Sequence, residues 1–291
     1  KFKDASWSDI KNTATQVCQQ DLGWFFEQWI ERRGAPEIEL NSVSLQNNRL
    51  SFTLKQTQPE IYRLYIPVEV NLPNDSSFTT HLWLDTPEQN YSLIFNSQPE
   101  KLSIDPNFDL FRKLNRAEIP PSLAEIFAQP EAWIILPDHC ETGKLEAYRQ
   151  LAQTMADGEE QLTIHQISEV SGTDLENRSF YLLGDPKENS LYSKITVESE
   201  KEFSMQDQLI SLNGKPVPGP DEVAIWVTRR PNSENTICMI VLGENKKIGR
   251  VGSLLSHYGK YSYLVFSDGK NVVKGNYSGT KSPLIFSFIK E

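Results

Sequence analysis

The segment DLGWFFEQWIERRGAPEIEL (residues 21–40) decides the fold, because a helical pattern ends in it and a strand pattern begins. Asp21 can cap a helix by accepting a hydrogen bond from a free amide of the first turn. Gly34 suits the left-handed position that ends a helix, and Pro36 prevents its continuation. Between them, apolar side chains recur at helical spacing, at Leu22, Phe25, Phe26, Trp29 and Ile30. The segment therefore predicts a helix that passes directly into a strand.

Residues upstream of this segment are also predicted to be helical. Residues 6–18 read as a short helix with Ser6 or Ser8 as its cap. Its apolar side chains lie on one face, at Ile10, Ala14 and Val17. Residues 1–35 are therefore interpreted as a region of short helices.

Residues 36–105 alternate with a period of two, which is typical of strands with one buried face. Short strands at this spacing, with turns such as Gln46-Asn47-Asn48 between them, predict an antiparallel β-sandwich. Residues 106–130 contain no strand pattern and are interpreted as a helical connector. One helix is expected where Phe108, Phe111 and Leu114 recur at helical spacing, and a second after Pro121.

Residues 131–291 alternate between strand and helix patterns and predict an α/β domain with a mixed sheet. The chain as a whole is therefore assigned to a multidomain α+β class. The strand candidates are AWIILP, QLTIHQI, SFYLLG, LISLNGKPV, VAIWVTRRP, TICMIVLG, YSYLVF, NVVKGNY and PLIFSFI, and the helix candidates are residues 144–156, 190–195 and 245–258.

Composition excludes several classes of protein. A net charge of -10 argues against a large phosphate-binding surface, so nucleic acid is not expected as a partner. No apolar run approaches the ~20 residues that span a bilayer, so no membrane span is expected. The three cysteines, Cys18, Cys140 and Cys238, are too few and too widely spaced for a disulfide framework and are interpreted as buried or incidental thiols.

Motifs for catalysis are absent from the sequence, so no catalytic or metal-binding residue is predicted. The chain contains no HExxH, GxSxG or GxGxxG pattern. Asp138-His139-Cys140-Glu141 is the one compact group of metal-ligand side chains. It follows a strand, and the alternative interpretation is a solvated loop.

Two predicted buried strands end in sequences that suit a binding site. Gly184-Asp185 and Gly243-Glu244 follow them, and α/β sheets bind ligands at the carboxyl ends of strands. The alternative is an ordinary strand-to-helix turn at each place. A third candidate is the tyrosine-rich stretch SHYGKYSYLVF (residues 256–266), in which His257 and Tyr258 either bind a partner or pack internally.

The opening segment resembles a junction in the zinc aminopeptidases of the alanyl-aminopeptidase type, which belong to the gluzincin metallopeptidases. In that family the last helices of the catalytic domain carry an acidic-Leu pair, two aromatic residues, a Trp and a Gly-x-Pro, and a β-sandwich follows. The matching residues here are Asp21, Leu22, Phe25, Phe26, Trp29, Gly34 and Pro36. The likeness covers about residues 1–127 and includes the segment LSIDPNFDLFRKL.

The resemblance implies that residues 1–35 are the end of a catalytic domain and that this chain is a non-catalytic C-terminal fragment of such a hydrolase. Zinc is then expected in the missing catalytic domain, with no cofactor in this chain. The expected partners are that catalytic domain and, through self-association, another copy. Two alternatives stay open, namely an α/β domain that binds a small molecule or peptide, and an α/β domain with hydrolase activity of its own.

Overall fold

The computed structural model describes residues 4–129, 131–157, 162–197, 202–206, 209–231, 233–278 and 281–289. The chain divides into two compact units. Unit 1 consists of Lys1–Glu118 with Lys281–Glu291, and unit 2 consists of Ile119–Thr280. Short helices accompany antiparallel sheets and one large mixed sheet, so the predicted mixed α+β class is confirmed.

The first helix, α1 (Trp7–Cys18), begins with a reciprocal cap in which the side chains of Ser6 and Asp9 each accept the other residue's backbone N–H. Next comes α2 (Gly23–Phe26), preceded by Asp21, whose carboxylate accepts the Gly23 N–H at 2.8 Å. A π-helical segment, Glu27–Glu31, continues α2. The helical segment ends at Glu31, with Arg32 extended, three residues before the predicted end at Gly34. Gly34 has a φ of 98° and lies in the irregular chain that leads to the first strand.

Six antiparallel strands follow in unit 1, as the alternating pattern predicts. They are β1 (Ile38–Gln46), β2 (Arg49–Gln56), β3 (Leu64–Leu72), β4 (Ser76–Leu84), β5 (Glu88–Ile94) and β6 (Lys101–Ile104). One sheet has the order β1-β2-β5, and in the other β3 lies between β4 and β6. Alternate side chains of β2 and β3 share one core, among them Leu50, Phe52, Leu54, Leu64, Ile66 and Val68.

The helix predicted through Phe108, Phe111 and Leu114 is wrong. The chain there is irregular, with a single 3₁₀ turn at Arg116–Glu118. Arg112 overrides the local pattern, because its guanidinium forms buried ion pairs with Asp105 at 2.8 Å and with Glu118 at 2.7 Å. The second helix of the predicted connector is present in unit 2 as α3 (Leu123–Phe127).

Unit 2 is built around a seven-stranded mixed sheet, as predicted. Its elements are β7 (Trp133–Ile135), α4 (Thr142–Ala156), β8 (Thr163–His165), α5 (Gly172–Asn177), β9 (Phe180–Leu183), β10 (Phe203–Gln206), β11 (Leu209–Leu212), β12 (Lys215–Pro216), β13 (Glu222–Arg229), β14 (Thr236–Leu242), α6 (Val251–Leu254), β15 (Tyr263–Ser267) and β16 (Lys270–Gly275). The strand order is β16-β15-β13-β14-β9-β7-β8. The four strands β14, β9, β7 and β8 are parallel to one another, and the remaining pairs are antiparallel. Strands β10, β11 and β12 form a separate small sheet.

Each face of the large sheet is covered by its own apolar core. One core joins the sheet to α3, α4 and α6, and the other contains Phe203, Ile210 and Leu212 of the small sheet. The helix predicted at residues 245–258 is much shorter than expected, since regular α-helix is confined to α6 and a 3₁₀ turn follows it. Lys246 and Gly249 have positive φ angles, of 57° and 48°, which a continuous helix does not allow.

The last strand, β17 (Ile285–Ser287), corrects the predicted domain boundary. Residues 281–291 are predicted to belong to the α/β domain, whereas β17 pairs antiparallel with β6 in unit 1. The division between Glu118 and Ile119 lies within the predicted connector. None of the described helices combines the length and the apolar character that crossing a bilayer requires.

Candidate functional site

The carboxyl ends of β9 and β14 bring two of the candidate segments together in unit 2. These strands are adjacent and parallel, so Gly184-Asp185 and Gly243-Glu244 emerge at the same edge of the sheet. Strand β7, also parallel to β9, ends beside them. This edge is where open α/β sheets usually bind ligands.

Both glycines allow a close approach of neighbouring chain. A side chain at Gly184 would place its Cβ 3.0 Å from the Pro137 Cβ and 3.1 Å from the Glu188 Cβ, and the φ of Gly184 is 98°. At Gly243 a Cβ would lie 2.1 Å from the carbonyl oxygen of Gly219. The two positions therefore serve packing at the edge, and the binding chemistry must come from the side chains around them.

A buried polar group, which we call the strand-edge cluster, consists of Lys144, Tyr148 and Glu188. The Lys144 Nζ lies 2.5 Å from the Glu188 Oε1, and the Tyr148 hydroxyl donates to the Glu188 Oε2 at 3.0 Å. The Asp185 N–H donates to the same Oε2 at 3.1 Å, and the Tyr148 oxygen accepts the Leu242 N–H at 3.0 Å. Helix α4 is thereby joined to the loop after β9 and to the last residue of β14.

The electrostatics of the cluster keep Tyr148 protonated. Burial raises the pKa of Tyr148 well above its ordinary value, and the negative charge of Glu188 raises it further. The side chains of Lys144 and Glu188 are only 13% and 12% exposed, so the ion pair is screened by little water. A fixed phenol donor and a fixed ammonium therefore surround one carboxylate.

A cavity of about 280 Å³, which we call the strand-edge cavity, lies beside this cluster within unit 2. Its charged and polar lining comes from the strand ends and α4, while its apolar lining comes largely from the small sheet and the loop after it. The lining residues are Lys144, Asp185, Lys187, Leu209, Ile210, Pro216, Val217, Pro218, Pro220, Val241, Leu242, Gly243 and Glu244. Three of the predicted residues, Asp185, Gly243 and Glu244, thus share one cavity.

The Asp138-His139-Cys140-Glu141 segment follows β7 at the same edge. The Asp138 carboxylate accepts the N–H and hydroxyl of Ser190, at 2.9 and 2.7 Å, and these hydrogen bonds lower its pKa although partial burial opposes them. Burial and the charge of Glu188 raise the pKa of the Cys140 thiol, the opposite of what activates a nucleophile. Across the described residues, no group of three or more His, Cys, Asp or Glu side chains is placed to hold a metal ion.

The remaining candidates, His257 and Tyr258, are not among the residues that line the strand-edge cavity. The Tyr258 ring packs edge-on against Phe266, with centroids 5.4 Å apart, and contributes to the core beside α6. His257 is exposed. The structure therefore assigns Tyr258 to internal packing.

A second candidate surface is the bare apolar stripe of α1. No residue of this helix is buried. Trp7 is 60% exposed, Ile10 48% and Val17 77%. Their spacing along the helix puts them on one face, and a helix of this kind normally buries that face.

The chain that follows α1 is, by contrast, firmly attached to the sandwich. The buried side chain of Gln28 accepts the N–H of Arg63 at 2.6 Å and donates to its carbonyl at 3.1 Å. The Arg63 guanidinium lies 4.7 Å from the ring centroids of both Trp24 and Trp83. These contacts fix α2 and the π-helical segment on β3 and β4.

No motif in the sequence predicts the strand-edge cluster. Tyr148 lies four residues after Lys144 in the helix predicted at residues 144–156, and this spacing, which puts both side chains on one face, is the available signal. Glu188 gave no signal, because nothing in the sequence relates a residue of one loop to a distant helix.

Comparison of this chain with protein-family models and with curated proteins finds no match.

Proposed function

We propose that this chain is a non-catalytic C-terminal part of a zinc-dependent aminopeptidase, or of an inactive relative of one. In this proposal unit 1 supports the catalytic domain, and unit 2 shapes access to that domain or mediates assembly. The order of features in unit 1 supports it. The helical segment ends at Glu31, Gly34 with a positive φ and Pro36 follow, and a β-sandwich begins, which is the order that the resemblance to the aminopeptidases implies.

The observation that carries the proposal is the bare apolar stripe of α1. An isolated helix of fewer than ~12–15 residues is marginal in water, and α1 has 12 residues with none buried. It therefore needs a covering partner to be stable. The proposed partner is the catalytic domain of the same polypeptide, because α1 lies directly before the segment that resembles the junction with that domain.

Zinc belongs, in this proposal, to the catalytic domain. Catalytic zinc needs about three protein ligands and an open position, and the described residues offer no such donor set. The described side chains therefore do not fit the metal, and no chemical step in this chain is routed through it.

A direct test is to incubate the chain with Zn²⁺ and fluorogenic aminoacyl substrates. The expected result is no metal-dependent turnover, because the zinc ligands and the glutamate base lie elsewhere. Metal-dependent turnover that is abolished by chelation would contradict the proposal. The gene segment that encodes the residues before Lys1 is expected to contain an HExxH helix followed by a further zinc-binding glutamate.

A second function, binding of a small molecule or peptide by unit 2, is favoured by the strand-edge cavity. Convergent polar side chains beside an apolar wall are typical of ligand pockets. Thermal-shift screening of a library of small fragments tests this role. Stabilising fragments should lose their effect when Val217→Trp fills the cavity, and a screen without any stabilising fragment would count against it.

A further inference from the structure

The lining of the strand-edge cavity divides into two chemical classes. Leu209, Ile210, Val217 and Val241 supply apolar surface, with three prolines beside them. Lys144, Lys187, Asp185 and Glu244 supply two positive and two negative charges. An apolar ligand would make no hydrogen bond to these charged groups, and a purely polar ligand would leave the apolar surface without a contact.

The positive side chains retain hydrogen-bonding capacity. An ammonium has three N–H donors, and among the described residues Lys144, which lines the cavity, forms one ion pair, with Glu188. Lys187 is exposed and forms no ion pair with any described residue. A ligand carboxylate would therefore find one fixed cation and one adaptable cation.

The negative side chains can accept an ammonium. The Asp185 Oδ1 accepts hydrogen bonds from the backbone N–H groups of Lys187 and Glu188, at 2.8 and 3.0 Å. These bonds fix the orientation of the carboxylate and leave its Oδ2 available to a ligand. Glu244 is exposed and has no partner among the described residues. Acceptors and donors thus both line one cavity of about 280 Å³.

The Arg112 cluster of unit 1 shows what a purely structural ion-pair group looks like in this protein. Its side chains are 2% exposed at Arg112, 0% at Asp105 and 1% at Glu118. The guanidinium donates to both carboxylates, two of its nitrogens binding Glu118. The strand-edge cluster differs because its cation also lines a cavity.

We infer that the strand-edge cavity binds a small zwitterion with an apolar side chain, of the class of the free hydrophobic amino acids. Lys144 and Lys187 receive the carboxylate, Asp185 and Glu244 receive the ammonium, and the side chain lies against Leu209, Ile210 and Val217. The cavity volume is just below the ~300–1,000 Å³ typical of drug-sized ligands, which suits a ligand of this size. This inference deepens the binding role proposed for unit 2 and rests on it.

Three probes test the ligand class by calorimetric titration of the whole chain. L-leucine carries both charges, L-leucinamide lacks the carboxylate, and 4-methylpentanoate lacks the ammonium. L-leucine is expected to bind at least about tenfold more tightly than either analogue, because each analogue leaves one pair of charges unused. Equal binding of all three, or no binding of L-leucine at millimolar concentration, would overturn the inference.

Substitutions at exposed lining residues test the site without disturbing the fold. Lys187→Met is expected to lower the affinity for L-leucine and 4-methylpentanoate by about three- to tenfold and to leave the affinity for L-leucinamide unchanged. Glu244→Gln should lower the affinity for L-leucine and L-leucinamide and leave the affinity for 4-methylpentanoate unchanged. Lys194→Met, at another exposed lysine of unit 2, is the matched control and should change nothing. Unchanged affinities in both cavity variants would contradict the assignment.

Failure of the ligand class can be told apart from failure of the binding role. If the amino-acid probes do not bind but library fragments stabilise the chain and lose this effect in Val217→Trp, the ligand class is wrong and the binding role stands. If neither the amino-acid probes nor the library fragments bind, both the ligand class and the binding role of unit 2 are wrong.

Discussion

Helices α1 and α4 have similar amphipathic patterns but very different surroundings. In α4 the stripe formed by Tyr148, Leu151, Ala152 and Met155 is buried against the sheet of unit 2. In α1 the corresponding stripe is exposed, with Val17 at 77%. Helix α4 is therefore stabilised by packing within this chain, whereas α1 needs a partner that the described residues do not supply.

The largest expected effect comes from truncating one apolar side chain in the stripe of each helix. Leu151→Ala should lower the free energy of unfolding by roughly 2–5 kcal/mol, because Leu151 is 1% exposed and its removal leaves a cavity. Ile10→Ala is the matched control and should change it by less than about 0.5 kcal/mol in this chain. Urea unfolding followed by circular dichroism measures both. A large decrease in the free energy of unfolding for Ile10→Ala would show that the apolar face of α1 is already buried within this chain.

A medium effect tests whether the chain after α1 is anchored independently of it. Gln28→Ala leaves the N–H and carbonyl of Arg63 without their partner, which should cost about 1–3 kcal/mol. Hydrogen exchange of residues 23–31 should accelerate, while exchange in α1 should stay as it was. Slower or faster exchange in α1 would mean that the two helices are one cooperative unit.

The smallest effect concerns the cap of α1. Hydrogen bonds from the backbone and hydroxyl of Ser6 lower the pKa of Asp9 below its ordinary value of 3.8. The cap is therefore fully formed above pH 3.8 and is lost as the pH falls through the lowered pKa. Chemical shifts of residues 7–10 should show the helix fraying at that point. Asp9→Asn should remove this pH dependence, and a wild-type titration identical to that of the variant would disprove the role of the cap.

Much of the fold could be predicted from local periodicity. The helical segment before Gly34 and the six strands of the sandwich follow from patterns within a few residues. The helix expected through Phe108 and Phe111 is absent because Arg112 binds Asp105 and Glu118, which lie on either side of the periodic stretch and are not part of its apolar pattern. The pairing of β17 with β6 could not be predicted either, because pairing between strands far apart in the sequence leaves no local pattern.

The candidate site could be predicted only in part. Gly184-Asp185 and Gly243-Glu244 were found because strand ends have recognisable sequences and parallel neighbours bring them to one edge. Their partners were not found, because Lys144 and Glu188 meet through packing of α4 on the sheet. His257 and Tyr258 were chosen on composition alone, and composition does not distinguish a packed ring from a binding surface.

Hydrogen exchange of α1 is the most direct test of the proposed function. It should be measured in this chain alone and in the same chain joined to the segment that precedes it in the polypeptide. We expect the amides of residues 7–18 to be nearly unprotected in this chain alone and to exchange at least about tenfold more slowly when the catalytic domain is present. Val17→Asp should remove this protection, and Gln16→Glu should keep it. Identical exchange in both proteins would contradict the account.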